Sequence, residues 1–191
     1  MAMKKIFFAF LLVSLNVEAS LEGWVHGPDH CFYFTAPDGW VSDNVSGADE
    51  GSPMVFYPKG STWANSPIAI YTRITTKNTD VRSIQDQVEH TLRYFKSAYK
   101  SPNIKATKVK SLKIKNGNFG EIYEYSGDRW GNRELVAYVD SKNTINFFVL
   151  NSQKKNDYAK GKEALLRLVK SYRESKDCKP CKEPGLERNC F

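Results

Sequence analysis

Cys178-Lys179-Pro180-Cys181 has the spacing of a thiol–disulfide redox pair. Such a pair works when its first thiol sits at a helix N-terminus, where the dipole lowers the thiol pKa and leaves the sulfur open to attack. Here the pair follows the C-terminal end of a predicted helix, the wrong pole for that chemistry. A four-cysteine zinc site uses two CxxC units, and this chain has one, so no metal is expected. His26 and His30 flank Asp29 beside Cys31, which raises a small metal site or a Cys–His nucleophile pair. An oxidised Cys31 cannot serve as a nucleophile, however, and no catalytic residue is assigned. His90 lies off the apolar stripe of its helix and is expected to be solvated. G-x-S-x-G, a complete S-x-x-K set, H-E-x-x-H and a glycine-rich phosphate loop are all missing, and Glu121 and Glu124 fall on opposite faces of a strand. No cofactor is expected.

Recognition is better represented than catalysis. Trp63 stands in the polar stretch Lys59 to Asn65, and Trp130 in Gly127-Asp128-Arg129-Trp130-Gly131-Asn132. A tryptophan in a polar loop is unfavourable unless it packs or binds, so Trp63, Trp130, Arg129 and Lys59 are the candidate binding residues. Trp40, directly after a turn, reads instead as a core anchor. Lys105, Lys108, Lys110, Lys113 and Lys115 form a run with no acid. Lysines on the outer side of an edge strand prevent edge-to-edge pairing, and they also allow weak binding to an anionic surface. Nucleic acid is not an expected partner, because no recognition motif is present.

These residues sit in a chain of 191, with 28 Lys and Arg, 21 Asp and Glu, 41% hydrophobic and 13% aromatic content, the profile of one globular domain. Lys4 and Lys5, an apolar run from Ile6 to Val13, and Val17-Glu18-Ala19 before Ser20 have the form of a signal peptide over residues 1–19. The apolar run is 8 residues, far below the ~20 that span a bilayer, so no transmembrane segment is expected after cleavage. The expected location is therefore exported, periplasmic or secreted. Cleavage leaves 26 basic and 20 acidic residues, a net of +6. Cys31, Cys178, Cys181 and Cys190 all lie in the mature part, and an even number in an exported chain implies disulfides. Three pairings are possible; the expected one joins Cys31 to one of Cys178 and Cys181, and Cys190 to the other. Residues 20–176 would then be a single domain and 177–191 a Cys-rich tail stapled to its first strand.

The elements follow from periodicity. After a lead from Leu21 to His30, Cys31 to Ala36 is β-prone, and Pro37-Asp38-Gly39 turns the chain into Trp40. Asn44 to Ser52 is a loop, Pro53 to Pro58 a short strand, and Lys59 to Ser66 another loop. Ile68, Ile70, Thr72 and Ile74 then alternate on one face of a strand. From Asp80 to Lys100 the period changes: Val81, Ile84, Val88, Leu92, Phe95 and Tyr99 recur at three and four, with Asp80 and Ser83 as available caps. Four strands joined by short turns follow, over 105–115, 119–127, 133–140 and 144–150. A second helix is predicted over 156–176, with Tyr158, Leu165, Leu168, Val169 and Tyr172 on one face. Strands with two amphipathic helices predict an α+β domain in which helices pack on an antiparallel sheet.

Phe34-Thr35-Ala36-Pro37-Asp38-Gly39-Trp40, Val55-Phe56-Tyr57-Pro58 and Ser66-Pro67-Ile68-Ala69-Ile70, with the helix and meander after them, resemble the PsbP-like and Mog-like α/β/α sandwich domains over residues 31–175. The resemblance implies a non-enzymatic binding or assembly factor, and transfers no catalytic residue. The cysteines and their tail are not part of that pattern. Together these readings point to an exported, disulfide-stabilised domain that binds another envelope protein or an envelope component. The rival is a thiol–disulfide oxidoreductase using the tail CxxC.

Non-reducing peptide mapping of the mature protein, with thiols trapped at lysis, should show two complete bridges, one of them reaching Cys31. Free thiols at Cys178 and Cys181 would instead favour the redox rival.

Overall fold

The computed structural model describes residues 22–27, 29–114, 117–152 and 155–175. The expected signal segment and the Cys-rich tail lie outside them. In chain order the elements are β1 (Glu22–His26), β2 (Cys31–Thr35), β3 (Trp40–Asp43), a short 3-10 helix (Ala48–Glu50), β4 (Val55–Pro58), β5 (Ile68–Thr76) and α1 (Ile84–Ser97). There follow β6 (Lys105–Lys113), β7 (Phe119–Ser126), β8 (Arg133–Asp140), β9 (Thr144–Ser152), α2 (Lys155–Ser171) and β10 (Arg173–Glu174).

Seven strands form one antiparallel sheet in the order β3-β4-β5-β9-β8-β7-β6. Its centre follows from local chemistry. The β8 strand alternates Leu135, Ala137 and Val139 with Val136 and Tyr138, and both sets are buried. A strand apolar on both sides must be covered on both faces. On the first face, Ile68, Ile70 and Phe148 of the sheet meet Leu165, Leu168 and Val169 of α2, together with Phe32 and Phe34 of β2. On the second, Val136, Tyr138 and Val149 meet Ile84 and Val88 of α1. The result is an α+β fold with a helix on each face, as expected. Burying each large aromatic of the first face stabilises the fold by about 2–3 kcal/mol before the loss of side-chain entropy. Phe34 packs edge-on against Phe56, and Phe32 packs against Tyr172, each at 5.1 Å between centroids.

Local signals place the helices. Ser83 caps α1: its Oγ accepts from the Asp86 N–H at 3.2 Å, while Asp86 Oδ2 accepts from the Ser83 N–H at 2.9 Å. A reciprocal cap of this kind is worth about 1 kcal/mol. At the other helix, Gly161 lets α2 lie directly on the sheet, since a Cβ there would fall 2.5 Å from Ile68 Cδ1 and from Leu150 Cδ1.

Three expectations need correction. The lead from Leu21 to His30 contains β1, which pairs with β2 through a turn closed by the Gly27 N–H on His30 O at 2.9 Å. Gly23, Gly27 and two histidines hide that strand from propensity, and the hydrogen bonds to β2 supply what propensity lacks. Second, the strands do not all join one antiparallel sheet: β3, after the turn at Pro37, begins the seven-stranded sheet, whereas β2 belongs to a separate sheet of order β1-β2-β10 that lies against α2. Third, α2 stops at Ser171 instead of running to 176. Tyr172 turns inward, where its hydroxyl joins a buried network with Ser141 at 2.9 Å and Asn146 at 2.8 Å. The chain then extends as β10. As expected, β6 is an edge strand, and Lys105, Lys108, Lys110 and Lys113 are exposed on it.

Replacing Gly161 by Val should lower the unfolding free energy by about 1–3 kcal/mol through overpacking against Ile68 and Leu150. Urea denaturation checks it, and an unchanged midpoint would mean that α2 does not seat as described.

Candidate functional site

The apolar stripe of α1 is longer than the part of it that the sheet covers. Ile84 and Val88 are buried, whereas Leu92 and Phe95 are only partly so, and Tyr94 and Tyr99 are exposed. Where the second half of the stripe faces the sheet, a cavity of about 310 Å³ remains between them. Its floor comes from four strands: Tyr71 and Arg73 of β5, Tyr125 of β7, Glu134 and Tyr138 of β8, and Phe147 of β9. Its roof comes from Gln87, His90, Thr91, Tyr94 and Phe95 of α1, and Tyr99 lines it beyond the helix end. That volume is at the small end of the range for sites that hold a metabolite or a single side chain.

Tyrosine fills this position for a physical reason, because its ring is apolar while its hydroxyl tolerates water or finds a partner. The hydroxyls of Tyr125 and Tyr138 hydrogen-bond each other at 2.7 Å. Burial pushes the Tyr125 phenol up to about 12 and raises those of Tyr71 and Tyr138 as well, so all three stay neutral. The Tyr94, Phe95 and Tyr99 rings meet edge-to-face at 5.1 and 5.2 Å, and Trp130 packs on Tyr99 at 5.6 Å.

Glu134 is the unusual member. Its carboxyl is held among these rings, and burial, with the nearby Asp128 charge second, pushes its pKa up to about 7. No hydrogen bond or ion pair satisfies it among the described residues. The basic group beside it is already engaged: Arg73 donates through Nη1 to Ser52 Oγ at 2.6 Å and lies over the Tyr71 ring at 5.1 Å. Gln87 is 4% exposed; its amide nitrogen donates to Thr91 Oγ1 at 3.1 Å, while its Oε1 has no partner. Gln87 Oε1 thus goes unsatisfied in an aromatic cavity, a state that buried polar groups rarely keep without a ligand or water, and the half-buried Glu134 carboxyl stands at the same site without a protein partner.

Tyr71 and Arg73 also line a second, more polar cavity of about 330 Å³, with Glu50, Ser52 and Trp63. Trp63 packs edge-on against Tyr71 at 6.2 Å and donates from Nε1 to Glu50 Oε1 at 3.3 Å. Trp130 is 52% exposed, with the Arg129 guanidinium 4.3 Å above its ring. The two tryptophans thus flank the same aromatic system at opposite ends, one packed on Tyr71 and the other on Tyr99. Neither Arg129 nor Lys59 lines either cavity; the Lys59 N–H donates to Gly39 O at 2.8 Å beside the β3–β4 pairing. Trp40 is a core residue, as expected. His90 is exposed, as expected, and it also lies at the cavity roof.

The N-terminal histidines are not in a loose lead. His26 is buried in β1 and stacks on Trp24 at 5.5 Å, and burial together with the His26 charge lowers the pKa of His30. Cys31 is buried and is not a free thiol. Cys178, Cys181 and Cys190 lie outside the described residues. Sequence reasoning missed Glu134 and the tyrosines, although a signal exists: Glu134, Val136 and Tyr138 share one parity of a strand, as do Tyr123 and Tyr125 of the next.

No protein-family model matches the chain. No curated protein matches it at a significant level either. Among solved structures it is similar to the solution structure of cyanobacterial PsbP (CyanoP) from Synechocystis sp. PCC 6803, with 16% identity and a TM-score of 0.51 over 84% of this chain and 96% of that one. It is also similar to LpqN, described as involved in cell envelope biogenesis of Mycobacterium tuberculosis, with 15% identity and a TM-score of 0.49 over 81% and 90%. The likeness to PsbP is one of fold, and it meets the expectation of a PsbP-like fold.

The isolated carboxyl has a measurable consequence. Because the folded pKa of Glu134 lies near 7 and its ordinary value is 4.5, the folded chain retains a proton that the unfolded chain releases between those values. Its contribution is fully present below pH 4.5 and is lost as pH rises through about 7. Glu134→Gln should therefore stabilise the chain by about 2 kcal/mol at pH 8 and by little at pH 5. Denaturation midpoints at the two pH values test this; an equal effect at both would mean that Glu134 is solvated.

Proposed function

We propose that this chain is an exported, non-enzymatic binding domain of the cell envelope, and that it binds through the aromatic cavity between α1 and the sheet. The observation that carries this reading is the cavity itself. It gathers tyrosine rings from three strands and a helix around one unpaired carboxyl and one unpaired amide oxygen. Such groups recognise; they hold and orient a ligand by shape, ring faces and a few fixed polar atoms. Trp63 and Trp130 extend the surface on either side.

Export is supported by the form of residues 1–19 and by four cysteines in the part that follows. The disulfide staple also has support from the course of the backbone. In the small sheet, β10 runs beside β2, and the Ser175 N–H donates to Cys31 O at 3.1 Å. The tail thus departs beside Cys31 only three residues before Cys178, within the span a disulfide needs when each residue reaches about 3.5 Å. A bridge between first strand and tail would close a loop of more than 100 residues, worth about 4–5 kcal/mol in the chain-entropy account. In this reading the CxxC is structural. The exposed lysines of β6 add a weak, salt-sensitive attraction to anionic envelope surfaces.

A double variant, Trp63→Ala with Trp130→Ala, should remain folded, losing less than about 2 kcal/mol because both side chains stand at the periphery. In a pull-down from envelope extract it should retain less than half of the partner captured by the unaltered chain. Undiminished capture by a folded double variant would remove this surface from the reading.

A further inference from the structure

We propose that the cavity between α1 and the sheet binds a protonated primary amine carried on a small apolar or aromatic body, with the ammonium N–H groups directed to Glu134 and Gln87 Oε1. The inference rests on the binding reading above and names its ligand class.

The choice of charge follows from what the cavity leaves unpaired. The two polar groups here without a protein partner, the half-buried Glu134 carboxylate and the buried Gln87 Oε1, are hydrogen-bond acceptors, so the complementary ligand is a donor. A carboxylate additionally requires positive charge. Arg73 lines the same cavity but makes no ion pair with Glu134, its guanidinium donating instead to Ser52 and lying over the Tyr71 ring. The walls add to the same preference. Tyr71, Tyr125 and Tyr138 from the sheet, with Tyr94 and Tyr99 from the helix side, surround the cavity with ring faces and edges that attract a cation over the face of the ring. A quaternary ammonium would satisfy the rings but would leave Gln87 Oε1 without a donor. A primary ammonium satisfies both acceptors. The volume of about 310 Å³ limits the body to a small molecule, one lysine side chain or the N-terminus of a peptide.

The protonation states agree with this choice. The groups facing Glu134 are Tyr71 and Arg73 from β5, Tyr125 from β7, Tyr138 from β8, and His90 and Tyr94 from α1, with Asp128 acting from the loop before β8. Above pH 7 the carboxylate is the charge left without a counterion. As pH falls, Glu134 takes a proton and the attraction disappears.

The test is calorimetric titration of the full-length chain, disulfides intact, with phenethylammonium chloride and separately with 2-phenylethanol, its neutral counterpart. At pH 8 the amine should bind at least roughly tenfold tighter than the alcohol, a difference of about 1.4 kcal/mol. That margin should vanish at pH 5.5 and in Glu134→Gln at pH 8, a variant expected to be more stable than the unaltered chain. Gln87→Leu should weaken the amine several-fold, and tetramethylammonium should bind more weakly than the primary amine. Equal binding of amine and alcohol at pH 8, an unaltered margin in Glu134→Gln, or no binding of the amine overturns the inference. In that event the tryptophan double variant still decides the broader reading: if it continues to lose its envelope partner, binding stands and only the ligand class fails.

Discussion

The structure depends on one constraint: a seven-stranded sheet whose central strands are apolar on both sides must be covered twice, and among the described residues two α-helices are available to do it. A helix with its side chains is about 10 Å wide, while strands repeat every ~4.8 Å, so one helix shields two or three strands at most. The two faces meet this shortage differently. On the first, α2 is helped by the small sheet, whose Phe32 and Phe34 reach across to Phe148 and Phe56. That face closes into a continuous apolar core. On the second, α1 works without such help, and the part of the sheet beyond its reach is surfaced with tyrosine. The cavity follows from that uneven cover.

The closed face also shows how the C-terminal end of the domain is set. Tyr172 ends α2 by inserting among Phe32 and Phe148, and its hydroxyl is met by Ser141 and Asn146 at the β8–β9 turn. A buried hydroxyl without those partners would be strongly unfavourable, so the network holds one register of helix end against hairpin. With the helix halted there, the chain becomes extended and pairs with β2 as β10. Ser175 is thereby delivered to the strand that carries Cys31, where its N–H donates to Cys31 O at 3.1 Å.

On the open face, stability and recognition pull against each other. Leaving Glu134 ionised among aromatic rings is unfavourable to folding, as its pKa near 7 shows, and an amide in its place would fold more easily. A half-buried acceptor without an ion partner is, however, prepared to meet a donor with little reorganisation. Arg73 lines the same cavity but is directed to Ser52 and the Tyr71 ring and makes no ion pair with Glu134. The site is therefore defined as much by what Arg73 is prevented from doing as by what Glu134 does.

Much of this fold can be read from local pattern. Ser83 and Asp86 announce the start of α1, the alternation of Ile68, Ile70, Thr72 and Ile74 gives the face of β5, and the short turns after 115, 127 and 140 give the meander. Each of these is legible because it depends on residues a few positions apart. The strand β1, with its glycines and histidines, is not, since only pairing with β2 makes it a strand. The candidate site was half legible: Trp63 and Trp130 stand out as aromatic residues in polar loops, whereas Glu134 looks like any charged residue near the start of a strand. The sequence by itself determined which side chains share a face, because backbone periodicity is local. Only the tertiary structure decided which face stays open, because that depends on how far one helix reaches across strands that are distant in the chain.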